Sequence, residues 1–247
     1  MYGSARRDYR RELCPAEMQP FRLAVKETDL WLAVDQNIPV AAVAGELESF
    51  IWHQRTILEH YLKKDPLFCT TLDPHPALPD APALAFAMAR ASNRAGVGPM
   101  AAVAGAFAQL AGEWLLRYSS QVIVENGGDI YYCCRQALRV GVYAGASPFS
   151  GRLAVEVHAP GQGRGICTSS ATVGPSFSKG RADAAVICGV DALLADAVAT
   201  AAASMVHTED DLKRAINFAL GIEGIEGALV ILGDKLAVRG KMRLAKL

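Results

Sequence analysis

A chain of 247 residues holds one large domain or two small ones, and a fold of that length removes roughly 70–75% of its unfolded surface from water. With 51% hydrophobic and 20% charged residues, it is neither disordered nor of low complexity. Twenty-five basic side chains balance 25 acidic ones, so the basic excess of a dedicated nucleic-acid binder is missing, and no apolar run reaches membrane-spanning length.

Residues 1–20 carry Arg6, Arg7, Arg10 and Arg11 and then Pro15 and Pro20, which predicts an extended N-terminal arm ahead of a single domain over 21–247. No apolar segment follows those arginines as in a secretory signal, so a cytoplasmic location is expected. Phe21–Val25 and Leu30–Val34 alternate as half-buried strands about the turn Lys26–Asp29. From Pro39, apolar positions repeat near every 3.6 residues through Leu62, which predicts a long amphipathic helix ending at Lys63-Lys64 and stopped by Pro66.

Four prolines make Asp73–Pro82 a loop. Ala83–Ala95 then reads as a helix, and Pro99 opens another to about Arg117, whose run of alanine and glycine lets it lie close to a sheet or a ligand. Short strands follow at Val122–Glu125 and Ile130–Cys134, then Leu138–Tyr143 and Leu153–His158. Gly161–Thr168 leads into a Gly/Ser-rich segment, Ser169–Gly180. A buried strand at Ala184–Cys188, helices Ala192–Val206 and Glu209–Leu220, and a hairpin Ala228–Leu232/Leu236–Arg239 complete the chain. Strand pairs joined by tight turns predict an α+β fold with mixed and antiparallel sheets packed with helices. The six cysteines show neither zinc nor disulfide spacing and read as reduced, mostly buried thiols.

Three places have the residue types for chemistry. Glu125-Asn126-Gly127-Gly128-Asp129 is either a plain hairpin turn or a ligand-contacting one, with exposed amides for anionic oxygens and more acid than a turn requires. Thr168–Asp183 holds six hydroxyls with Lys179 and Arg181, a set that suits a diphosphate or equally a solvated loop, without a P-loop pattern. In the helix after Asp191, Asp196 and Thr200 share one face and present oxygen ligands that suit Mg²⁺, although an Asp capping a neighbouring segment is the plainer reading. His53 and His60 share a helix face without a metal motif. Gly161-Gln162-Gly163-Arg164-Gly165 precedes a strand rather than the helix a dinucleotide site requires, and the basic C-terminal residues lack interleaved aromatics.

Taken in order, these segments resemble the ApbE family, best known for FAD:protein FMN transferases. Gly98–Ala111 running into Val122–Ile130 is similar to its alanine-rich helix and N-x-GGD-type turn, Cys167-Thr168-Ser169-Ser170 to its Thr-Ser-Gly loop, and Leu194–Ala201 to its A-D-A-x-x-T helix. The match covers roughly Pro99 to Val206, under half the chain. Glu27–Trp31 and Gly180–Asp183 look more like an uncharacterised ApbE-related branch than the transferases themselves.

The resemblance implies a flavin (FAD or FMN) or related nucleotide diphosphate bound with Mg²⁺. Asp196 and Thr200 would hold the metal, with a backbone carbonyl of the first segment. Asn126, Gly127, Gly128 and Asp129 would line the ligand, and Thr168, Ser169 and Ser170 would hold phosphate oxygens. It implies a nucleotide substrate and a protein acceptor and leaves a homo-oligomer open, while the balanced charge and short apolar runs predict neither a nucleic-acid nor a membrane partner. Two transferase side chains are missing. Ala104 stands nearest the family lysine, and Pro175-Ser176 nearest the family histidine. Flavin or nucleotidyl transfer and a non-catalytic binding or assembly role are therefore both carried forward, with the catalytic residues unassigned.

Overall fold

The computed structural model describes residues 14–158, 161–171 and 180–247. Strand β1 runs Met18–Val25 and pairs antiparallel with β2, Thr28–Asp35, with Met18 opposite Asp35 and Val25 opposite Thr28. Met18–Pro20, expected in the arm, thus belong to the sheet. Proline misleads here because β1 is an edge strand, where a missing backbone donor is tolerated. Residues 1–13, with the four early arginines, lie outside the described residues.

Helix α1, Val40–Lys64, buries Val43, Leu47, Ile51, Leu58 and Tyr61 along one stripe. Pro66 stops it but also starts α2, Pro66–Thr70: Asp65 caps this short helix by accepting from the Phe68 N–H at 3.2 Å, and proline sits where no donor is needed. Helix α3 covers Ala83–Ala95 and ends on Gly96 at φ 72°, a left-handed cap that glycine adopts without strain. A 3-10 turn at Pro99–Ala102 leads into α4, Val103–Leu115.

The strands that follow are β3 (Val122–Asn126), β4 (Asp129–Cys133), β5 (Leu138–Gly141), β6 (Leu153–Val157), β7 (Arg164–Ser169) and β8 (Ala184–Gly189). Helices α5 (Ala192–Met205) and α6 (Asp211–Leu220) precede β9 (Ile225–Leu232), β10 (Lys235–Gly240) and β11 (Arg243–Lys246). Strand β11 is not legible in the sequence. It is four residues long and largely exposed, so it has no apolar alternation to betray it.

Among the described residues, eight strands form one sheet in the order β1-β2-β3-β4-β7-β8-β9-β10, and each neighbouring pair is antiparallel. A smaller sheet, β11-β6-β5, forms separately. Alternation divides the large sheet between two cores. Val122, Val124 and Cys167 join Leu47, Ile51 and Leu194 on the helix side, while Ile123, Ile130 and Ile166 join Val140 and Val155 of the small sheet. This is the α+β arrangement of antiparallel sheet and helices.

Small residues set how tightly the helix layer seats. A Cβ on Gly112 of α4 would overlap the Tyr131 ring of β4, and one on Gly165 of β7 would overlap the Ala192 backbone of α5. Helix α5 is buried along nearly its whole length. Among the described residues, no single helix is long and apolar enough to cross a membrane. Four of the six free cysteines, Cys133, Cys134, Cys167 and Cys188, are buried.

Candidate functional site

The hairpin between β3 and β4 turns on Gly127 and Gly128 at φ 69° and 113°, positive values that a tight two-residue turn requires. The pleat then separates the two acids that flank it. Glu125 lies on the same face as Ile123, toward the small sheet, and its Oε1 accepts from the Gly128 N–H at 2.8 Å. That acid serves the turn. Asn126 and Asp129, directly opposite each other in the ladder, face the helices. The Asn126 side-chain amide donates to the Ala104 carbonyl at the start of α4, at 3.0 Å.

Asp191 is the N-cap of α5, and its carboxylate accepts from the Leu194 N–H at 2.7 Å. Asp196 lies further along, only 7% exposed, and its Oδ2 accepts from the Gly105 N–H at 2.8 Å. Gly105 is in the first turn of α4, where N–H groups have no partner within the helix, and the N-cap residue Ala102 offers no side-chain acceptor. Asp196 therefore caps α4 from a neighbouring helix and meets its positive end. The plainer capping reading is realised. It depends on Gly105, because a Cβ there would overlap the Ala192 carbonyl and stand 2.9 Å from the Asp196 Cβ.

Burial pushes the Asp196 carboxyl up to about 7, against the opposing pull of the Gly105 and Ala104 amides. Asp129 is also buried. Desolvation first, then the neighbouring Asp196 and Glu125 charges, drive its carboxyl well above the usual range, while the Cys167 thiol and the Thr168 amide pull the other way. Its Oδ1 is buried without a hydrogen-bond partner among the described residues. Among the described residues neither Asp129 nor Asp196 has a cationic partner.

Thr200 is half-buried one turn beyond Asp196 on the same side of α5. On β7, alternation sends Ser169 to the helix face with Cys167, and the Ser169 Oγ is buried without a partner among the described residues. Thr168 alternates to the other face and reaches Asp129 through its backbone amide. Ser170 is buried at the end of β7. The turn, the Asp196 face of α5 and the end of β7 thus come together. A cleft of about 710 Å³ opens beyond Ala171, lined in part by Arg181, His207, Glu209 and Gly233. Thr172, Pro175, Ser176, Ser178 and Lys179 lie outside the described residues. His53 and His60 are exposed on α1.

Among the described residues, no group of three or more His, Cys, Asp or Glu side chains is arranged to hold a metal. A hard divalent ion that takes one or two carboxylates and completes its shell with water and phosphate oxygens still fits the donors present, and the orphaned Asp129 oxygen is of the right kind. The residues that sequence reasoning missed are Ala104 and Gly105 as the partners of Asn126 and Asp196. Their only signal was the run of small residues, which does not say what comes close.

This fold is that of the ApbE flavin transferases. The chain superposes on the ApbE protein of Thermotoga maritima with a TM-score of 0.57, 13% identity, and coverage of 91% of this chain and 97% of that one. For the flavinyl transferase ApbE of Pseudomonas stutzeri the TM-score is 0.54 at 13% identity, covering 90% and 94%. At such identity the likeness is one of fold. The family described as "AbpE bacteria" matches residues 11–242, and this chain belongs to it. It is 42% identical over 193 residues to a UPF0280 protein of Methanocella arvoryzae, covering 78% of each chain. It is 38% identical over 230 residues to a UPF0280 protein of Methanopyrus kandleri, covering 91% of each.

Proposed function

We propose that this protein binds a flavin, or a related nucleotide diphosphate, between the β3–β4 turn, the end of β7 and the first turn of α4, together with Mg²⁺. The observation that carries the reading is the buried carboxylate pair Asp129 and Asp196, without a cationic partner among the described residues, beside a glycine turn and an unsatisfied serine hydroxyl. Asp196 and Thr200 hold the metal. Asn126, Gly127, Gly128 and Asp129 line the ligand, and Thr168, Ser169 and Ser170 take phosphate oxygens. When bound, Mg²⁺ neutralises the diphosphate and polarises its bridging bond.

In the enzyme form of this reading, a protein hydroxyl attacks the flavin-side phosphorus of FAD. The phosphoanhydride breaks, FMN becomes esterified to the acceptor, and AMP leaves. The chain's own part is positional. Asn126 and Asp196 grip the Ala104 carbonyl and the Gly105 amide and so hold the first turn of α4 against the turn that meets the ligand. A second reading, a non-catalytic binding or assembly protein, is favoured by one observation: Ala104 stands nearest the place of the family lysine, and its carbonyl is already bonded to Asn126.

Equilibrium titration with FAD, FMN and ADP, with and without Mg²⁺, tests the reading on wild type, Asp196→Ala and Asp196→Asn. Binding that needs both Mg²⁺ and Asp196 is the expected result, and no binding of any of the three removes the flavin reading. AMP release from FAD and Mg²⁺ in the presence of an acceptor then supports transfer, whereas binding without turnover supports the second reading.

A further inference from the structure

The acidic residue of the hairpin turn does something that a ligand-lining role does not account for. Glu125 already serves the turn, so Asp129 is not needed there. The pleat points Asp129 away from the turn amides and into the helix layer, against Asp196. It is only 8% exposed, and one carboxylate oxygen has no donor among the described residues.

Two carboxylates in one dry place repel each other unless something positive lies between them. Protein amides reach Asp196 from α4, and the Cys167 thiol and the Thr168 amide reach Asp129, but among the described residues these leave the Asp129 Oδ1 unmet. A separate element supplies an independent sign of a ligand. The Ser169 hydroxyl is on the face of β7 that carries Cys167, is 6% exposed and is also without a partner among the described residues. The orphaned Asp129 oxygen of β4 faces the Asp196 carboxylate of α5, and the orphaned Ser169 hydroxyl lies two residues along β7 from Cys167, whose thiol meets Asp129, so the unsatisfied groups here are oxygens. Hard divalent cations favour such donors.

We propose that Asp129 is a second carboxylate ligand of the cation held by Asp196, so that the divalent ion occupies a preformed site before any nucleotide arrives. This rests on the metal reading above and goes beyond it in two respects. It makes the ion a resident of the apo protein, and it assigns a ligand outside the helix that carries Asp196 and Thr200. Asn126, across the ladder from Asp129, holds the first turn of α4 in place and does not ligate.

The probe is Mn²⁺ alone, without nucleotide, followed by its EPR signal and displaced by Mg²⁺, on the full chain. Wild type is expected to bind one ion per chain. Asp129→Asn and Asp129→Ser are each expected to weaken binding by at least about tenfold, the lower end of what losing even a supporting residue costs a metal site. Both variants should remain folded in EDTA, since they remove a buried like charge, and both should lose the rise in Tm that the ion gives wild type. Wild-type affinity in both Asp129 variants overturns the assignment of Asp129. If Asp196→Asn abolishes binding in that case, the metal reading survives without Asp129; if it too binds normally, both fall. Failure of wild type to take up Mn²⁺ without nucleotide overturns the preformed site and leaves the nucleotide titrations to judge the flavin reading.

Discussion

The backbone N–H of Gly105 and the Oδ2 of Asp196 stand 2.8 Å apart, and that bond joins the first turn of α4 to the middle of α5. Both partners are constrained. Gly105 has no room for a side chain, and Asp196 is a charge whose burial is made tolerable by the helix end it faces. Gly105→Ala is therefore expected to cost about 1–3 kcal/mol, the usual penalty for overpacking, although alanine is the better helix former. Urea denaturation measures it. An unchanged or improved stability would mean that α4 and α5 are further apart than the structure places them.

The same pair makes a prediction about pH. The Asp196 carboxyl titrates near 7 in the folded chain, against its ordinary value of 3.8. Between these limits the folded state keeps a proton that the unfolded state has given up, so stability contributed by Asp196 falls as pH rises through the window. The slope is at most about 1.4 kcal/mol per pH unit for one group, and it levels off above pH 7. Asp196→Asn should flatten this part of the curve, leaving the metal-free variant relatively more stable at pH 8 than at pH 5. Thermal melts in EDTA across that range check the sign.

Asp35 behaves in the opposite way. Burial opposes its charge, but donors from Gln121, Ser120 and Ser119 outweigh burial and hold the carboxyl at about 2. Its stabilisation is present above pH 3.8 and is lost as pH falls toward 2. The Oδ2 alone accepts from the Ser119 and Ser120 hydroxyls and the Ser120 amide at 2.8–3.0 Å, tying the end of β2 to the link before β3. Asp35→Ala is expected to cost about 2–3 kcal/mol at pH 7 and progressively less in acid. A cost that does not shrink below pH 3 would contradict the assignment.

Helix α4 lies on β4 through Gly112, whose missing side chain admits the Tyr131 ring. Gly112→Ala should destabilise by about 1–3 kcal/mol, and the loss should shrink when Tyr131 is replaced by alanine in the same chain. A double-mutant cycle reads the coupling directly. Additive costs would mean that the two residues do not meet.

Much of this architecture is legible along the chain. The 3.6-residue stripe of α1, the run Ala83–Ala95 and the glycine turn between β3 and β4 follow from local periodicity and turn chemistry, which do not depend on distant partners. Errors occur where tertiary position decides a local preference. Pro20 is acceptable only because β1 lies at an edge, and Pro66 opens α2 only because Asp65 is placed to cap it. Strand β11 exists because β6 offers it a ladder, with Arg243 opposite Glu156, and not because its own four residues favour a strand.

The candidate site divides in the same way. The sequence by itself determined which residue types come near one another in the chain: a glycine turn flanked by acids, a hydroxyl run, and an Asp and Thr one helical turn apart. Only the tertiary structure decided which face meets the helices. It sent Glu125 to the small sheet and Asp129 to Asp196, and it set Gly105 rather than any neighbour against the Asp196 carboxylate. The reason is physical. Periodicity fixes directions relative to one element, whereas a buried charge is defined by what the other elements leave around it.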